Sequence, residues 1–133
     1  MVKALDPQPT LDALAAIDCG AGLHERVRAA AELVHARFAE HAHLMHAARK
    51  LIVAGEHDPD ARARMAAARE RLQAAIADVI APDADRLRVS PGQAARLLLL
   101  YCGANTFGPY GEPDTFTGAD LATLLLDGVL VRC

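Results

Sequence analysis

Two apolar segments at the C-terminal end constrain this chain most. Residues 94–102 read AARLLLLYC, and residues 121–131 read LATLLLDGVLV, with a short aromatic loop between them. Both open with helix-start chemistry. In Ser90-Pro91-Gly92-Gln93 a hydroxyl stands at the N-cap, proline at the first helical position and glutamine at N3. Thr117-Gly118-Ala119-Asp120 repeats the pattern with a carboxylate, which also suits the positive end of a helix. The segments are too short to span a bilayer, and polar residues interrupt both. Each is apolar on more than one face, so each helix must be covered from more than one side. A chain of 133 residues has the material to bury one such helix. Two of them, last in the chain, point to an oligomerisation unit.

The length suits one domain with its own core. Hydrophobic residues make up 53% of the chain but aromatics only 4%, so alanine and leucine carry the apolar content. That mixture favours closely packed helices. A net charge of −3 argues against a nucleic-acid surface within these residues. Arg62, Arg64, Arg69 and Arg71 cluster, but with acidic residues among and around them, as on a solvated helix face. Cys19, Cys102 and Cys133 are odd in number and widely spaced, which fits a reducing, cytoplasmic setting. The first residues, MVKALDP, form neither a signal peptide nor a membrane anchor.

Along the chain, Asp6-Pro7-Gln8-Pro9 reads as a rigid non-helical lead-in. Thr10 is then placed to cap a short helix with Leu11, Leu14, Ala15 and Ile17 inward, ended by Cys19-Gly20-Ala21-Gly22. The longest helix is expected over 23–54. On it Leu23, Val27, Val34, Phe38, Met45 and Ile52 fall within a sector of roughly 60°, widened by Leu33, Leu44 and Leu51. Asp58 is placed to cap the next helix, with Pro59 at its first position and Met65, Leu72, Ile76, Val79 and Ile80 inward, stopping before Pro82. Residues 82–85 form a connector into the Ser90 cap. The loop over 105–116 holds all three C-terminal aromatics not on a helix, Phe107, Tyr110 and Phe116, among two glycines and two prolines. No segment alternates with a convincing period of two, so the fold class is all-α.

The candidates for chemistry are few. His24, His35 and His46 share a helical face at eleven-residue spacing, but each step is about 16 Å along the axis, too far for one metal ion. His43 and His46 are neighbours without an evident set of further ligands, and the histidines read as a titratable surface face. His41 falls inside the apolar stripe. There it is either a core histidine with one satisfied hydrogen bond or a polar group facing a ligand cavity. Tyr101, Cys102 and Asn105 end the leucine-rich helix, either as ordinary packing or as polar points of that same cavity. There is no GxSxG, no cysteine with an evident histidine partner and no glycine-rich phosphate loop. The chain is not read as an enzyme, and no cofactor is expected.

The order of parts, with SPGQAARLLLLY and the closing TGADLATLLLDGVL, resembles the C-terminal regulatory domain of TetR-family transcription regulators. The likeness covers nearly the whole chain, 1–133, as a single domain, and its motifs are hydrophobic patterns. It implies an all-helical bundle whose last two long helices pair with those of a second copy as a four-helix bundle, while the other helices enclose a small-molecule pocket. By that likeness Leu97, Leu100, Leu121, Leu124, Leu125, Gly128 and Val129 belong to the homodimer interface. Phe38, His41, Met45, Tyr101, Cys102 and Asn105 would line a pocket for a mostly apolar effector. The family's DNA-reading helix-turn-helix lies ahead of this domain and has no counterpart in these residues, so DNA would be reached only through a domain outside this chain. Two other readings are an interaction module that dimerises without a ligand and a metal- or haem-binding bundle on the histidine-rich helix.

Overall fold

The computed structural model describes residues 7–40, 42, 59–107 and 116–131. Within them the chain is all-helical: α1 (Gln8–Ala15), α2 (Leu23–Glu40), α3 (Pro59–Ile80), a 3₁₀ segment (Ala81–Arg86), α4 (Pro91–Phe107) and α5 (Gly118–Val129). Apart from Ala42, the residues of the expected long helix beyond Glu40, with Met45 and Ile52 among them, lie outside the described residues, as does Asp58. No described helix is long and apolar enough to cross a membrane.

Both C-terminal caps form as the sequence predicts. Gln93 N–H donates to Ser90 Oγ at 3.1 Å, and Ser90 N–H donates to Gln93 Oε1 at 3.0 Å. Asp120 N–H donates to Thr117 Oγ1 at 3.1 Å, and Thr117 N–H donates to Asp120 Oδ2 at 3.0 Å. Each box satisfies two backbone donors that would otherwise lack partners at a helix start. The first helix corrects the sequence reading. It begins at Gln8, without a side-chain cap, and Thr10 lies inside it. Pro7 and Pro9 occupy the first turn, where a missing N–H costs nothing, and the Pro7 carbonyl accepts from Leu11 N–H at 2.9 Å. Ala15, expected inward, is exposed.

The core gathers Leu14, Val27, Val34, Ile76, Ile80, Leu98 and Leu125, with five alanines among them: Ala30, Ala31, Ala94, Ala95 and Ala122. Small residues at helix crossings let backbones approach closely, and α2 is the helix they approach. It touches α1, α3, α4 and α5, and its contact with α5 is the most extensive. At the start of α5, a Cβ added to Gly118 would lie 2.7 Å from Glu32 Cα and 2.8 Å from Glu32 N. Only a residue without a side chain fits there.

Arg26 fastens the other end of α2. It is 4% exposed. Its Nε–H donates to the Ala21 carbonyl at 2.9 Å, while its terminal nitrogens donate to the Val79 carbonyl and the Asp83 carboxylate. The guanidinium thus meets carbonyl-rich backbone at the end of α3, where a cation is favoured. Burial pulls the Asp83 carboxyl upward, but hydrogen bonds from Arg26 and Arg86, with their charges, outweigh it and hold Asp83 below its ordinary value. Beyond the 3₁₀ segment, Leu87 and Leu130 form an isolated antiparallel bridge, with Arg88 N–H donating to Val129 O at 2.7 Å and Val131 N–H to Arg86 O at 2.9 Å. This bridge ties the described end of the chain to the turn before α4.

Two predictions follow from these contacts. Gly118→Ala is expected to destabilise by about 1–3 kcal/mol, because α5 must shift off α2. Gly128→Ala, which meets nothing within 4 Å, should be neutral or stabilising by up to ~1 kcal/mol; urea unfolding of both variants makes the comparison. For Asp83, a depressed folded value means that its contribution is complete above the ordinary carboxylate range. It is lost as pH falls through the folded value, below roughly pH 4. Asp83→Asn should lower the melting temperature at pH 7 and flatten its fall in acid. A variant as steep in acid as the wild type would assign that fall to other carboxylates.

Candidate functional site

Among the described residues, the last two helices carry apolar side chains that stay exposed. On α4 the inward face is Ala94, Ala95, Leu98, Leu99, Cys102 and Asn105. The opposite side presents half-buried Leu97, then Leu100 (55% exposed), Tyr101 (36%) and exposed Ala104, at spacing i, i+3, i+4, i+7. These four stand on one helical face. On α5 the inward residues are Leu121, Ala122, Leu125, Leu126 and Val129. Leu124 (51% exposed) and Gly128 look outward, and Val131, just past the helix, is 53% exposed. The outward apolar row on α4 thus has Leu124 of the packed α5 as its exposed apolar neighbour.

The residues expected at a dimer interface therefore divide. Leu121, Leu125 and Val129 are buried in the chain's own core, against α2 and α4. Leu97, Leu100, Leu124 and Gly128 stand at the surface. Tyr101, expected in a pocket, joins the surface group. Helical spacing showed that both segments were apolar on more than one face, but which face would meet α2 depended on the tertiary packing.

The pocket candidates divide as well. His41 and Met45 lie outside the described residues. Phe38 is half-buried on α2, and its Cε2 lies 3.9 Å from where a Cβ on Gly103 would stand, so α2 and α4 meet there. Cys102 is fully buried, and burial pushes its thiol up to about 12. Asn105 is buried at the junction of three elements: its Nδ2 lies 3.1 Å from His35 Nε2 on α2 and donates to the Phe116 carbonyl, before α5, at 3.2 Å. His35 was expected on a solvated face, and no local signal marks a partner seventy positions away. Arg26, the other polar residue the sequence reading passed over, sits beside the apolar stripe of α2, and Asp83 in the connector does not announce it as a partner. Next to Asn105, the buried Thr106 Oγ1 has no hydrogen-bond partner among the described residues.

Two clefts open elsewhere. One, of about 370 Å³, lies between α3 and the start of α4, beside Arg69, Gln73 and Arg96. The other, of about 220 Å³, lies between α1 and α3, beside Leu14, Ile17, Cys19 and Val79. Neither is lined by Phe38, Tyr101, Cys102 or Asn105. Among the described residues, no three His, Cys, Asp or Glu side chains stand close enough to hold a metal ion.

The environments of the two described cysteines predict different reactivity. Cys19 is exposed and Cys102 buried. In a Cys133→Ser background, native protein at pH 8 should alkylate once, at Cys19, and Cys102 should react only on unfolding. Mass spectrometry of digests after a short iodoacetamide pulse measures this; early labelling of Cys102 would mean that the α2–α4 junction opens readily.

Matching the chain against protein-family models, curated proteins and solved structures finds no counterpart in any of the three.

Proposed function

We propose that this chain is the regulatory and dimerisation domain of a TetR-like transcription regulator, acting as a homodimer in the cytoplasm. The observation that carries the reading is the outward apolar surface on the last two helices, Leu97, Leu100 and Tyr101 on α4 and Leu124 on α5. The order of capped helices and the closing sequence pattern support the family assignment. In this reading α4 and α5 of two copies pair as a four-helix bundle, and Gly128 permits close approach between copies. A mostly apolar effector would bind toward Phe38, His41 and Met45. It would act by preferring one of two spacings of the regulator's DNA-reading domains.

A ligand-free dimerisation module is the second reading. The full burial of Cys102 and the internal hydrogen bonds of Asn105 favour it, because both groups are already occupied by the chain itself. Native mass spectrometry of the purified protein separates the two readings. A dimer with a co-purified small molecule supports the sensor, whereas a dimer with no added mass, and no mass gained on exposure to apolar ligands, supports the module.

The dimer surface has its own test. Leu100→Glu combined with Leu124→Glu places charge where apolar contact is proposed. The double variant should keep its helical circular dichroism but run as a monomer in light scattering, with each site costing about 2 kcal/mol or more of association. A wild-type chain that is already monomeric at micromolar concentration would remove the proposal.

A further inference from the structure

The contact between α2 and the end of α4 has a property that its polar groups dictate. The Phe116 carbonyl can only accept a hydrogen bond, so the Asn105 side-chain atom facing it at 3.2 Å is the amide nitrogen. The same nitrogen lies 3.1 Å from His35 Nε2. An amide nitrogen can only donate, so Nε2 must hold a lone pair. Within this contact His35 is therefore a neutral imidazole with its proton on Nδ1.

We infer that His35, Asn105 and the Phe116 carbonyl form a proton-operated latch, which joins α2 to α4 and to the lead-in of α5 while His35 is neutral and releases α2 when His35 gains a proton. Protonation would set a second N–H against the amide N–H, replacing a hydrogen bond with two opposed donors. Turning the amide to offer its oxygen to the imidazolium would abandon the Phe116 carbonyl. Both contacts cannot survive the added proton.

Among the described residues, the carboxylates nearest in sequence on α2 and α5 are engaged elsewhere. One turn before His35 on α2, Glu32 is held by Arg28 at 3.0 and 3.1 Å. On α4, Tyr101 stands one turn before Asn105 and is exposed. At the start of α5, Asp120 is committed to the Thr117 cap.

Nitrogen-15 NMR of the labelled full chain tests the latch directly. At pH 7.5 the His35 ring should show a protonated Nδ1 and a bare Nε2. On titration to pH 5.5, the Asn105 side-chain amide signals should move with the same midpoint as the His35 ring. A ring protonated at Nε2 at neutral pH, or an Asn105 amide indifferent to the titration, overturns the inference. Asn105→Asp supplies the opposite case, because a carboxylate accepts from imidazolium. In that variant the His35 midpoint should rise by about 1–3 pH units, and an unmoved midpoint would also count against the latch. Should the variant fail to fold, the wild-type measurement decides alone.

Discussion

The close seating of α5 on α2 is the contact on which the rest of the described fold depends. It needs the missing side chain at Gly118, since any Cβ there would run into the Glu32 backbone. It also needs the Thr117–Asp120 cap, which lets the helix start abruptly at the point of contact. With α5 in place, Ala122, Leu125, Leu126 and Val129 are buried, and α2 is packed by all four of the other helices. Alanines at the crossings shorten the distance between axes. Dispersion and apolar burial act over that larger contact, which is how a chain nearly without aromatics holds a core.

Polar groups fix the ends of α2, where apolar contact alone would leave its position along the axis loosely set. At its N-terminal end, buried Arg26 spans to the Val79 carbonyl and Asp83. Toward its C-terminal side, His35 meets Asn105. These contacts are directional, and each loses a partner if α2 slides by a fraction of a turn. Hydrogen bonds of this kind contribute modestly to stability when made and cost more when broken, because the orphaned group stays buried. They select one arrangement of the helices more than they strengthen it.

The same packing accounts for the surface proposed to join two copies. A helix that is apolar on more than one face can turn only one side to α2. Turning Ala94, Ala95, Leu98 and Cys102 inward leaves Leu100 and Tyr101 in water, as turning Leu121 and Leu125 inward leaves Leu124. In the proposed dimer, a second copy would cover what the described residues leave exposed.

The sequence by itself determined the helical class, both C-terminal caps, the stop of α3 ahead of Pro82 and most of the inward residues of α2 and α3. These depend on local rules: a cap binds a backbone group three residues away, a proline ends its own helix, and a stripe repeats every few residues. Tertiary structure alone decided which faces of α4 and α5 turn inward, where α1 begins, and that Arg26 and His35 have partners. A segment apolar on more than one face does not name its buried face, and a proline pair serves a helix start as well as a rigid lead-in. Arg26 meets Asp83 fifty-seven positions away, and His35 meets Asn105 seventy positions away. No local pattern carries such a pairing; it exists only once packing has brought α2 against the ends of α3 and α4.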